Sequence, residues 1–168
     1  WIDTNIIDST FQGTARELLR VGFAANYLPI GDLIFNPTAY PGHPDYGNLY
    51  VAIGDGFAGE TAGATHSIPQ RLDAVQGKIL RITPDVNIRA GDLLGASGRY
   101  RIPTTGSEPN PFVSVSLPNL KREIYAYGVR NPHRMSWDQR RRRHRVQREN
   151  VDDQWRSVRD RGVERGDH

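Results

Sequence analysis

The sequence predicts an all-β fold, and three observations predict it. Its apolar runs are short and rich in β-branched and aromatic residues. Each run stops at a Gly, Pro, Asn or Asp turn signal. No strand-like run alternates with an amphipathic helical one, which excludes a doubly wound sheet and leaves a sandwich, a barrel or a propeller.

The elements follow in chain order. Residues 31–37 (GDLIFNP) form an apolar run ended by Asn36-Pro37. Residues 38–47 hold two Pro and two Gly and predict a loop. Residues 48–54 (NLYVAIG) read as a strand running into the turn pair Asp55-Gly56. Residues 78–82 (KILRI) alternate and stop at Thr83-Pro84. Residues 93–112 are rich in Gly, Pro, Ser and Thr and predict a long loop. Residues 123–127 (EIYAY) alternate again and run into Gly128 through Pro132, and residues 134–137 (RMSW) begin one more strand.

Of the 168 residues, 37% are hydrophobic, and with Gly counted in place of Tyr the apolar share is about 43%, close to a globular one, which excludes wholesale disorder. Cysteine is absent, which excludes disulfides, thiol nucleophiles and Cys-ligated metal. No apolar run is long enough for a membrane span. The net charge of +3 is unevenly spread. Residues 1–138 carry 12 basic and 13 acidic side chains, a net of −1, whereas residues 139–168 carry 10 Arg and 6 acidic residues, a net of +4. The near-neutral body argues against nucleic acid as a partner. The chain therefore divides into a body, 1–138, and an Arg-rich tail, 139–168. Val151, Trp155 and Val158 give the tail one narrow helical stripe, so it is expected to be a marginal helix or disordered. Out-of-frame translation also accounts for its composition. The chain begins Trp-Ile-Asp and reads as a piece of a longer protein.

Few residues are candidates for chemistry. Asp55 ends an apolar strand, where a carboxylate can bind a sugar hydroxyl or cation, or simply bond its own turn. Arg130 and Asn131 lie just beyond a strand, and Pro132 fixes the turn. A guanidinium beside an amide suits an anionic, carbonyl-rich ligand, the alternative being a solvated surface turn. The five His show no metal spacing, and His133 alone adjoins the Arg-Asn pair. Neither a nucleophile elbow nor a phosphate loop is present.

Residues 16–20 (RELLR), 30–37 (IGDLIFNP), 45–56 (DYGNLYVAIGDG), 77–82 (GKILRI), 100–103 (YRIP), 110–112 (NPF) and 123–138 (EIYAYGVRNPHRMSWD) together resemble the glucose/sorbosone dehydrogenase family, soluble quinoprotein sugar dehydrogenases. The resemblance covers about residues 14–138 and stops at Asp138. It implies a six-bladed β-propeller, of which this piece would supply about three blades with exposed strand edges. It implies pyrroloquinoline quinone and calcium as cofactors, an aldose as substrate oxidised at C1 to the lactone, and a periplasmic or secreted location. Arg130 and Asn131 match the cofactor-contacting pair, with Arg130 also assisting catalysis. Asp55 and Glu60 match sugar-contacting positions. The calcium ligands would lie beyond Asp138, so no metal residue is assigned. The family's His base stands three residues before Gly31, at Leu28, which cannot accept a proton. That departure leaves a second expectation: a non-catalytic propeller module binding sugars or a protein partner.

Overall fold

The computed structural model describes residues 7, 9–10, 13, 15–23, 27–61, 63–84, 87–104 and 108–138, and the backbone of 146–149. The fold is all-β. Six strands follow in order: β1 (Ile30–Phe35), β2 (Leu49–Ile53), β3 (Lys78–Ile82), β4 (Ile124–Tyr127), β5 (Arg134–Trp137) and β6 (Val146–Glu149). Two 3-10 turns, Ala58–Glu60 and Ile68–Gln70, lie between β2 and β3. The first four strands form one antiparallel sheet in the spatial order β1-β2-β3-β4, and β5 pairs with β6. Neighbours in sequence are thus neighbours in space, the up-and-down arrangement of a propeller blade. The described residues complete one such sheet and start a second. The long segment between β3 and β4 makes only isolated bridges, Thr83 to Arg101 and Leu94 to Arg101.

Five strands lie within a residue or two of the runs picked out in the sequence. The sixth does not: residues 146–149 pair antiparallel with β5, from Arg134 opposite Glu149 to Trp137 opposite Val146. A tail expected to be helical or disordered supplies this strand because the open edge of β5 offers backbone groups to any extended segment. The stripe of Val151, Trp155 and Val158 and the run 140–145 lie outside the described residues.

Each face of the four-stranded sheet builds its own core. Val51, Leu80 and Ile124 align across the strands, as do Leu49 and Ile82. Val51, Ile53, Leu80, Ile82 and Ile124 bury themselves with Tyr100 and Ile102 from the long loop, and Leu18, Val21 and Phe23 pack on this side. The opposite face joins Tyr50, Ala52 and Ile79 to Met135 and Trp137 of β5. Full burial of an aliphatic side chain stabilises by about 1.5–3 kcal/mol, so these two clusters hold the sheet together. The ring of Tyr50 meets Tyr125 and Trp137 edge-on, at 5.2 and 5.1 Å.

That second face also contains a charge. Arg81 is 1% exposed, and its guanidinium lies 5.9 Å from the ring centres of both Tyr50 and Tyr125. Its Nε donates to Asp45 Oδ1 at 2.8 Å and its Nη1 to the Glu108 carbonyl at 2.6 Å. Asp45 additionally accepts from Asn48 at 3.0 Å, Asn36 at 2.8 Å and the Tyr50 hydroxyl at 3.0 Å. A buried ion pair is tolerated when most of its remaining hydrogen-bonding capacity is met; here Arg81 Nη2 alone of the guanidinium nitrogens has no partner.

Lys78 starts β3 opposite Ile53 and Tyr127 and is fully buried. Its Nζ donates to the carbonyls of Ile68 (2.9 Å), Pro69 (3.0 Å) and Gln76 (2.7 Å), using all three protons. This pegs the 68–76 segment against the end of the sheet. Burial pulls the ammonium pKa down to about 8, with Asp73 opposing and Arg71 adding to the shift. On the first face, Tyr100 donates to Glu123 Oε1 at 2.9 Å, and burial pushes its hydroxyl pKa up.

At the sheet edge, β1 carries a bulge between Ile30 and Asp32. There Asp32 Oδ1 accepts from the Leu33 N–H and Oδ2 from the Met135 N–H, both at 2.9 Å, tying β5 to the edge strand. Leu33 and Phe35 are more than half exposed.

Candidate functional site

The candidate residues belong to loops at one end of the four-stranded sheet. Gly54 follows β2, and its N–H donates to the Pro29 carbonyl at 2.9 Å. A Cβ there would lie 2.1 Å from the Leu28 carbonyl oxygen, so only glycine lets the 28–29 segment come this close. Gly31 serves likewise on the other side, where a Cβ would stand 2.4 Å from the Pro132 carbonyl oxygen. The Gly77 N–H donates to the Gly54 carbonyl (2.9 Å) and the Val129 N–H to the Gly77 carbonyl (3.1 Å). Segments 28–31, 54–60, 77 and 129–133 are thereby knitted into one surface.

Asp55 is 3% exposed and acts on its own loop. Its Oδ1 accepts from Phe57 N at 2.9 Å and its Oδ2 from Gly59 N at 3.1 Å, shaping the 3-10 turn that ends at Glu60. Its N–H donates to the Arg130 carbonyl at 2.8 Å. With both carboxylate oxygens engaged by backbone, Asp55 positions Phe57 to Glu60 rather than facing solvent. Glu60 does face solvent, 47% exposed at its side chain, and ion-pairs with the Arg130 guanidinium, 42% exposed. Asn131 Nδ2 lies 2.6 Å from His133 Nε2. The amide nitrogen can only donate, so this contact selects the His133 tautomer with its proton on Nδ1.

Arg130, Asn131, Glu60, Asp55 and His133 are therefore brought together, as is Leu28, whose carbonyl accepts from Gly56 N at 3.3 Å. Arg130 and Asn131 set a planar guanidinium fork beside an amide, paired with Glu60 and His133, a donor set suited to an anionic, carbonyl-rich ligand. Among the described residues no group of three or more His, Asp or Glu could hold a metal ion. A separate cleft of about 190 Å³, lined by residues such as Leu93, Ile102 and Leu120, includes none of the candidate residues.

Two features were not read from the sequence. Leu28 and Phe57 both have left-handed backbone, at φ 51° and 71°. This costs a bulky residue roughly 1–2 kcal/mol. The rings of Tyr27 and Phe57 lie 5.7 Å apart at the surface. The available signal was Phe57 itself, directly after an Asp-Gly turn pair where the chain still bends left-handedly.

No family model matches the sequence. It is 33% identical over 128 residues to the HIPL2 protein of Arabidopsis thaliana, covering 75% of this chain and 16% of that protein. It is 30% identical over 125 residues to the HIPL1 protein of the same plant, covering 73% and 16%. Among solved structures it is similar to the soluble aldose sugar dehydrogenase of Escherichia coli in its apo form, at 26% identity over 67% of this chain and 24% of that one, with a TM-score of 0.36. The chain spans 16% of the length of the curated relatives it matches, and over that stretch it is similar to HIPL proteins.

Proposed function

We propose that this chain carries part of the ligand site of a sugar-oxidising quinoprotein: Arg130 and Asn131 hold an anionic ortho-quinone, pyrroloquinoline quinone, and Glu60 meets hydroxyls of an aldose. The observation that carries this reading is the meeting of Arg130, Asn131 and Glu60 on one exposed surface from loops 70 residues apart in sequence. When bound, the quinone supplies the two-electron acceptor for oxidation of the aldose C1 to the lactone. Arg130 contributes paired N–H donors and fixed positive charge where negative charge grows on the acceptor oxygens. Asn131 adds one amide donor. Glu60, now paired with Arg130, yields one edge of the guanidinium to the anion and accepts from sugar hydroxyls. Asp55 fixes the loop that carries Glu60. The resemblance also supports a periplasmic or secreted location for the whole protein. Among the described residues no helix is long and apolar enough to cross a membrane.

One observation favours a second reading, a propeller module that binds without turnover. Leu28 occupies the position of the expected base and offers only its carbonyl, already bonded to Gly56. Titration with pyrroloquinoline quinone, followed by its absorbance, tests the site. Saturable binding should weaken about tenfold or more in Arg130→Ala, the loss of a charge-assisted pair. Equal binding by Arg130→Ala, or none by the unaltered chain, refutes the site. Turnover of glucose by the unaltered chain with an artificial electron acceptor would remove the second reading. Binding without turnover supports it.

A further inference from the structure

We infer that Tyr27 and Phe57 form a stacking shelf for the C–H face of an aldopyranose, set beside the polar groups of Glu60 and Arg130. The inference rests on the reading above and adds to it a recognition element. Phe57 has left-handed backbone (φ 71°, ψ 16°), held there by the bond from its N–H to Asp55 Oδ1. Backbone strain of this kind gathers at ligand-binding sites, and here it carries a ring that is not buried: Phe57 is 39% exposed and Tyr27 is 66% exposed. Their ring centres lie 5.7 Å apart with planes at 47°, a tilted contact that brings two partly exposed rings side by side.

Both ends of the shelf are attached to the same loop cluster. Tyr27 precedes Leu28, itself left-handed, whose carbonyl accepts from Gly56 N, so both aromatic residues are tied to the end of β2. The polar groups are coupled to the same backbone. The Glu60 N–H donates to the Phe57 carbonyl at 3.2 Å, and the Glu60 carboxylate holds Arg130. An exposed aromatic surface flanked by a carboxylate and a guanidinium is complementary to a ligand with one apolar face and a rim of hydroxyls. A pyranose with equatorial hydroxyls has that form: its axial C–H bonds meet the electron-rich ring faces. A flat quinone would also stack, but it carries no hydroxyl rim for Glu60.

The test uses the full chain with glucose as probe, read by saturation-transfer NMR and titration to roughly 100 mM, the range of weak carbohydrate binding. Saturation should concentrate on the axial hydrogens of one sugar face. Phe57→Gly, which frees the backbone of its strain, and Tyr27→Ala should each weaken binding about fivefold, while Tyr27→Phe should bind nearly as the unaltered chain does. Arg130→Ala tests the site separately. If it abolishes glucose binding while Phe57→Gly and Tyr27→Ala leave binding unchanged, the shelf is refuted and the site stands. If both aromatic variants lose quinone binding and keep glucose, the shelf belongs to the cofactor and the inference fails. If the unaltered chain does not bind glucose, the shelf and the sugar reading fall together.

Discussion

Raising the pH from about 7.5 to 9.5 should stabilise this chain, because Lys78 is buried as a cation. Its folded pKa is about 8, against an ordinary value of 10.5. The gap corresponds to about 3 kcal/mol of differential interaction. The sign follows from proton binding. Between those two values the unfolded chain holds more protons than the folded one, so stability rises with pH across the window. Below pH 8 the full penalty is present in the folded state. The three carbonyl acceptors around Nζ favour the charged form and belong to the same balance. The assay is the urea midpoint at pH steps through the window. Lys121 is the only other lysine in the sequence, which keeps the profile simple. Lys78→Met should flatten it, while leaving the Ile68, Pro69 and Gln76 carbonyls without their donor, at about 1–3 kcal/mol for each one left unsatisfied. A flat profile in the unaltered chain, or the same slope in Lys78→Met, would refute the reasoning.

Three further outcomes are expected. Above about pH 10 the stabilisation should reverse, because burial raises the hydroxyl pKa values of Tyr50 and Tyr100, and stability carried by a raised pKa is lost once the unfolded chain ionises; Tyr100→Phe should make that alkaline limb shallower in the same urea series. Asp45→Ala should cost about 3–5 kcal/mol, since it strands the buried Arg81 charge together with Asn36, Asn48 and Tyr50; a second substitution, Arg81→Met, should recover part of that loss in a double-mutant cycle, and full additivity would refute the pairing. Gly54→Ala should cost about 1–3 kcal/mol through collision with the Leu28 carbonyl and should weaken quinone binding, because it forces apart two of the segments that build the site.

The strands were legible because each is a short run of apolar, β-branched or aromatic residues that ends at a turn residue. Residues 78–82 were bounded without error, since KILRI is followed at once by Thr83-Pro84. The pairing of Arg81 with Asp45 was not legible: 36 residues separate them, and an arginine in an alternating strand ordinarily faces water. Lys78 was hidden for the same reason, as its three partners are backbone carbonyls that leave no mark in composition. At the site, Arg130, Asn131 and Glu60 were picked out by motif and resemblance, and the fold brings them together. Of the two roles open to Asp55, the structure shows the bonding of its own turn; what a motif could not convey is that Phe57 stands on a left-handed residue. Strand β6 was missed because its existence depends on the free edge of β5 and not on its own polar sequence.

Asp32 has a consequence for the chain's solubility. Strand β1 ends the sheet, and Leu33 and Phe35 give it an adhesive surface on which another copy could align and continue the ladder indefinitely. The bulge at Ile30 to Asp32 breaks the regular repeat that such growth requires, and the Asp32 carboxylate occupies the Leu33 N–H that an incoming strand would need. One aspartate thus caps a polymerisation front while anchoring β5. Replacing it with valine would free the Leu33 N–H and make that edge more apolar, leaving the bulge as its remaining guard.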